Sequence, residues 1–147
     1  MTRPARTPLP GLVVLSWTLT LSYAGLIYHL SSLSRPVPFF ESMMKYHTDL
    51  LLHGVEYGVL GWLLLGSLTL SFPALSRRTL VILAFAGCLL YAVSDERHQS
   101  FVPGRDSSAM DLAADAAGGL LGSVARDLTL RRKRSYALHQ PVEGPAL

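Results

Sequence analysis

From Gly11 to Leu30 the chain carries no formally charged side chain. A hydrocarbon core about 30 Å thick is matched by about 20 apolar residues in a helix, so this run has the length of a membrane crossing. Leu50–Phe72 and Leu80–Ser94 follow as second and third runs. With 50% of residues hydrophobic, only 16% charged and a mean hydropathy of +0.33, the chain does not read as a water-soluble domain. Low charge also argues against disorder, and Cys88, the single cysteine, has no intrachain partner for a disulfide scaffold.

The first run resembles a signal peptide as far as Ser22-Tyr23-Ala24, but its apolar pattern continues past that site, so an uncleaved helix is expected. Pro73 marks the end of the second. The third is short for a crossing and must draw on the polar segment after it. A fourth, Met110–Val124, contains Asp111 and Asp115 and escapes a hydropathy scan. It is either a flexible loop or a packed helix. Ala114, Gly118 and Gly122 stand four apart, as do Gly119 and Ser123, and that spacing of small residues predicts a helix packed closely on a neighbour. The expected fold is therefore an all-α, polytopic integral membrane protein: four transmembrane helices in a compact bundle over residues 11–130, a leading segment 1–10 and a basic, irregular tail 131–147.

Lysine and arginine set the direction of such a chain. With the N-terminus inside, the inner set is Arg3, Arg6, Arg77, Arg78, Arg126, Arg131, Arg132, Lys133 and Arg134, against Arg35, Lys45, Arg97 and Arg105 outside. Both termini are then cytoplasmic. The net charge of +3 is spent at the ends of apolar runs, which favours anionic lipid over nucleic acid as the partner of Arg131–Arg134.

This topology gathers almost every carboxylate at the outer ends of the second, third and fourth helices. Asp49, His53 and Glu56 stand at i, i+4 and i+7, and so do Tyr91, Asp95 and His98, with Glu96 and Gln99 on an adjacent stripe. Asp111 and Asp115 are four apart. Ionisable side chains are expensive in lipid, so these are expected to face one polar pocket. In its lid, Phe101-Val102-Pro103-Gly104-Arg105, Pro-Gly suits the centre of a type II turn, and Ser108 with Asp111 fits a capping box. Arg105 beside helix N-termini is the candidate phosphate ligand.

The series Asp49-x-x-x-His53-x-x-Glu56-Tyr57, then Ser94-Asp95-Glu96-x-x-Gln99-Ser100-Phe101-x-Pro103-Gly104-Arg105, then Asp111-x-x-x-Asp115-x-x-Gly118, resembles that of VanZ-like proteins. The resemblance implies a small multi-helix membrane protein and a link to resistance against the glycopeptide teicoplanin. It supplies no reaction.

Three functions are compatible with such a pocket. The first is binding or processing of an anionic, phosphate-bearing lipid such as a lipid-linked envelope precursor, directly or through a divalent cation such as Mg²⁺. The second is proton- or ion-coupled transport through His53, Glu56 and Asp115, and the third is a structural role in which the polar cluster only fixes helix packing. A metal set of His53, His98 and Asp115 is a further candidate. No G-x-x-x-x-G-K-[ST], H-E-x-x-H or G-x-S-x-G occurs, which removes the P-loop, zincin and serine hydrolase readings.

Overall fold

The structure, a computed structural model, describes residues 9–34, 48–105 and 108–139. These form four helices: α1 Pro10–Ser31, α2 Thr48–Ser71, α3 Arg77–Gln99 and α4 Ala109–His139. Local chemistry sets their starts. Proline opens α1 at a position whose N–H would have no helical partner. Ser76 caps α3 by accepting from the Thr79 N–H at 3.1 Å. Ser108 caps α4 by accepting from the Met110 N–H at 3.1 Å. The expected capping box is only half formed, because the Ser108 N–H donates to Glu96 Oε2 of α3 at 2.9 Å instead of to Asp111.

Two helices are longer than their apolar runs. α3 begins at Arg77 and takes in Asp95–Gln99, so polar residues at both ends complete a 23-residue helix. α4 has 31 residues and passes through Arg131–Arg134 to His139. The irregular tail expected from residue 131 is thus corrected over 131–139: alanine, leucine and arginine are good helix formers, and no proline interrupts them before Pro141. α1, α2 and α3 are long and apolar enough to cross a membrane. The chain is accordingly a membrane protein.

Hydrogen bonds and ring contacts fix the arrangement. α1 runs antiparallel to α2, with Trp17 Nε1 donating to Ser71 Oγ at 2.8 Å and Thr20 Oγ1 bonded to Ser67 Oγ at 2.9 Å. α2 and α3 are antiparallel in turn, with Tyr57 and Tyr91 rings 6.2 Å apart. α4 returns parallel to α2. A Cβ built on Gly118 would collide with the Gly54 carbonyl, one on Gly122 with that of Gly58, and one on Gly61 with that of Gly119. The two backbones therefore touch, and Ser123 Oγ seals the seam with a bond to its own helix at Gly119 O, 2.8 Å, and one across to Gly61 O, 3.3 Å.

Burial is inverted relative to a soluble bundle. Thr20, His53, Ser67, Asp95, Glu96, Gln99, Asp115 and Ser123 are buried around Tyr57, Leu60, Cys88 and Ala92, while Leu15, Leu26, Ile82 and Leu90 are exposed. α4 follows the same rule: Ala113, Ala117, Leu120, Leu121, Val124 and Leu128 face outward and its polar and glycine residues face in. Its low mean hydropathy comes from the side turned toward its neighbours and from the basic run at its end.

Candidate functional site

The α1 C-terminus, α2 N-terminus, α3 C-terminus and α4 N-terminus share one end of the bundle, and the polar stripes meet there. His53 Nδ1 lies 3.0 Å from Asp115 Oδ1, joining α2 to α4 one turn beyond the glycine seam. Glu96 reaches the same place from α3. One donor atom from each of His53, Glu96 and Asp115 falls within 4.8 Å of the others, and all three side chains are buried. Glu96 is 8% exposed and Asp115 1%. Among the described residues, Glu96 Oε1, Asp115 Oδ2 and the Tyr57 hydroxyl are buried without a hydrogen-bond partner. Buried polar atoms almost always have one, so the orphaned oxygens of Glu96 and Asp115 indicate capacity for a ligand.

Asp95 is in a different state. Ser31 Oγ of α1 donates to its Oδ1 at 2.6 Å and Gln99 Nε2 to its Oδ2 at 3.1 Å, so both oxygens are satisfied and the pair closes the end of α3 onto α1. His98 likewise turns to α1, stacking on Tyr28 at 4.4 Å between ring centroids and bonding Ser32 Oγ at 2.9 Å. Of the residues expected as a metal set, the structure brings His53 and Asp115 together and turns His98 to α1, and Glu96 joins the first two instead, because neighbouring positions on α3 face different helices.

Arg105 lies where the turn puts it. The Arg105 N–H donates to Val102 O at 3.1 Å and Gly104 takes φ +82°, as a type II turn with Pro-Gly at its centre requires. Its guanidinium then donates from Nε to Leu33 O at 3.3 Å and from Nη2 to Leu30 O at 3.2 Å. Arg105 thus caps the C-terminus of α1, where carbonyls lack helical partners and a cation is favoured. Glu56 is half-buried one turn below His53, and Asp111 is half-buried in the first turn of α4. The side chain of Asp49 lies outside the described residues.

The glycine seam, the Asp-Glu-x-x-Gln stretch ending α3 and the Asp-x-x-x-Asp pair of α4 all fall within residues 12–128, and those residues match the VanZ/LLP1 family. The chain belongs to the VanZ/LLP1 family. No curated protein and no solved structure gives a significant match.

In this VanZ/LLP1 protein a cleft of about 220 Å³ opens beside the buried trio, lined by Glu96, Arg97, Ser100, Ser108, Ala109 and Leu112. Arg97 and Ser100 belong to none of the stripes read from sequence. Their signal was position alone, in the last turn of α3 facing the first turn of α4. Ser31 was missed for a similar reason, since serines are frequent in membrane helices and nothing in the α1 sequence distinguishes the one that meets Asp95.

At the opposite end, Asp127 Oδ1 takes Arg77 Nη1 at 3.1 Å and Oδ2 takes Arg131 Nε at 2.6 Å. Arg126 lies over the Trp62 ring, 5.1 Å from its centroid. These pairs tie α4 to α3 and α2 where the glycine seam ends.

Proposed function

We propose that this VanZ/LLP1 protein spans the bacterial plasma membrane four times, with both termini cytoplasmic, and binds or processes a phosphate-bearing envelope lipid at an outward-facing polar site. The fourth crossing rests on the apolar outer face of α4, and the direction on the excess of arginine at the Asp127 end. The link to glycopeptide resistance comes with the family's name, and it suits a protein that handles a lipid-linked envelope precursor.

One observation carries the reading. Glu96 lines the surface cleft and belongs to the buried trio, so a headgroup in the cleft touches the one carboxylate that leads to His53 and Asp115. Arg97 and the hydroxyls of Ser100 and Ser108 line the same cleft and are the phosphate ligands in this reading, with the positive end of α4 behind them. Arg105 contributes by holding α1 in place. The orphaned oxygens of Glu96 and Asp115 count against a purely structural cluster, which has no reason to leave acceptors unmet. Transport through the trio is disfavoured by the seam below it, where backbone meets backbone at Gly58 and Gly122.

Native mass spectrometry of the purified protein tests the proposal. A phospholipid or polyprenyl phosphate is expected to remain bound and to be lost from Arg97→Ala. Retention of the same lipid by that variant, or no phosphate lipid on the wild type, overturns it.

A further inference from the structure

We infer that His53, Glu96 and Asp115 form the binding site of one divalent metal ion, and that the donor set suits Zn²⁺ or Mn²⁺ better than Mg²⁺ or Ca²⁺. The site stands on these three side chains alone and does not depend on a lipid being the ligand of the cleft.

Geometry is the first argument. Bonds of about 2.1 Å place neighbouring ligands of an octahedral ion about 3.0 Å apart, and those of a tetrahedral ion about 3.4 Å apart. The His53 Nδ1 to Asp115 Oδ1 separation is 3.0 Å, and Glu96 supplies a third donor atom within 4.8 Å of both partners.

Charge is the second. Two carboxylates at 8% and 1% exposure cost more than one imidazole repays, and each has an oxygen without a partner. A divalent ion balances both charges and gives Glu96 Oε1 a partner directly, and Asp115 Oδ2 one when that carboxylate binds through both oxygens. Among the described residues no arginine or lysine fills this place, since Arg97 is exposed and Arg105 is committed to α1.

The surrounding bonds are the third. A metal-bound carboxylate is usually oriented by a hydrogen bond to its other oxygen. The Ser108 N–H does this for Glu96 Oε2, and it comes from the cap of α4, the helix that carries Asp115. The glycine seam fixes α2 against α4, and the Ser108 N–H ties Glu96 of α3 to them, so ligands from three helices converge. An imidazole among the donors favours Zn²⁺ over Mg²⁺ and Ca²⁺, and the two carboxylates admit Mn²⁺ as well. Three protein ligands leave a coordination position open, and Glu96 puts that position next to the cleft.

The test uses full-length protein in detergent, stripped with EDTA, dialysed, and titrated calorimetrically with ZnCl₂, MnCl₂ and MgCl₂ without added phospholipid. The wild type is expected to bind one Zn²⁺ or Mn²⁺ per chain, more tightly than Mg²⁺. Asp115→Asn and Glu96→Gln should each weaken that binding at least ~100-fold, beyond the effect typical of second-layer partners. Asp127→Asn, which removes the same charge at the other end, should leave it unchanged. Where a variant does not elute as a single species, Co²⁺ absorption bands of the wild type, absent from His53→Gln, serve instead. Absence of saturable binding to the wild type overturns the site, as does an equal loss in Asp127→Asn; Mg²⁺ binding as tight as Zn²⁺ overturns the choice of ion. Failure of lipid capture leaves these results untouched.

Discussion

Asp115 and Asp127 are both buried aspartates of α4, about three turns apart, and they differ in what they leave unspent. Asp127 has an arginine on each oxygen. Among the described residues Asp115 has His53 on one oxygen and nothing on the other, and Glu96 beside it repeats the pattern with the Ser108 N–H. A buried charge that is fully paired is explained by the fold it holds together, whereas one half paired points to a missing partner. Burial alone separates the two ends poorly.

The glycine seam connects these ends, so the largest effect should come from filling it. Gly122→Leu places a side chain where the Gly58 carbonyl stands, and no rotamer removes a clash with backbone. Loss of more than ~4 kcal/mol is expected, read as failure to recover a monodisperse protein. Both ends should go together; a folded Gly122→Leu protein with an intact outer site would separate them. Next comes Asp127→Ala. Arg77 and Arg131 are 34% and 59% exposed, so solvent screens the pairs and the variant should cost about 1 kcal/mol in thermal unfolding while lipid and metal binding persist. Loss of binding in that variant breaks the comparison.

Much of this was legible beforehand for stated reasons. The three apolar runs, the turn at Pro103-Gly104 and the small-residue face of α4 follow from local rules that hold wherever the rest of the chain goes. The facing ladder, Gly54 and Gly58 on α2, is a G-x-x-x-G spacing of the same kind, but it sits inside a strongly apolar run where glycine passes unnoticed. What sequence did not resolve was rotation. Asp95, Glu96 and His98 are neighbours on α3, yet one meets Ser31, one meets Ser108 and the buried trio, and one meets Tyr28 and Ser32. Stripes drawn on isolated helices predict depth well and partners badly, because partners depend on where α1 docks. Arg105 shows the same limit: its charge was visible, the α1 carbonyls that its guanidinium meets were not.

Asp115→Asn should have a small effect on stability and a large one on function. The amide keeps the shape and an acceptor for His53 and removes a charge that has no partner on Oδ2, so a change under ~1 kcal/mol is expected. Any resistance or lipid phenotype should disappear. A variant that unfolds while keeping its phenotype per folded molecule would make Asp115 another Asp127.

The smallest effect should belong to Arg105→Lys. Lysine keeps the charge near the end of α1 but carries one ammonium in place of a fork that reaches Leu30 O and Leu33 O together. One of the two neutral acceptors loses its donor, worth about 0.5 kcal/mol where the backbone is near the surface. Hydrogen exchange should accelerate only in the last turn of α1. Native mass spectrometry of the same variant then divides the two roles available to this side chain: a clamp on α1 leaves bound lipid unchanged, whereas a bidentate phosphate ligand loses it. Loss of lipid without faster exchange at α1 returns Arg105 to the site at the Asp115 end and removes it from the fold.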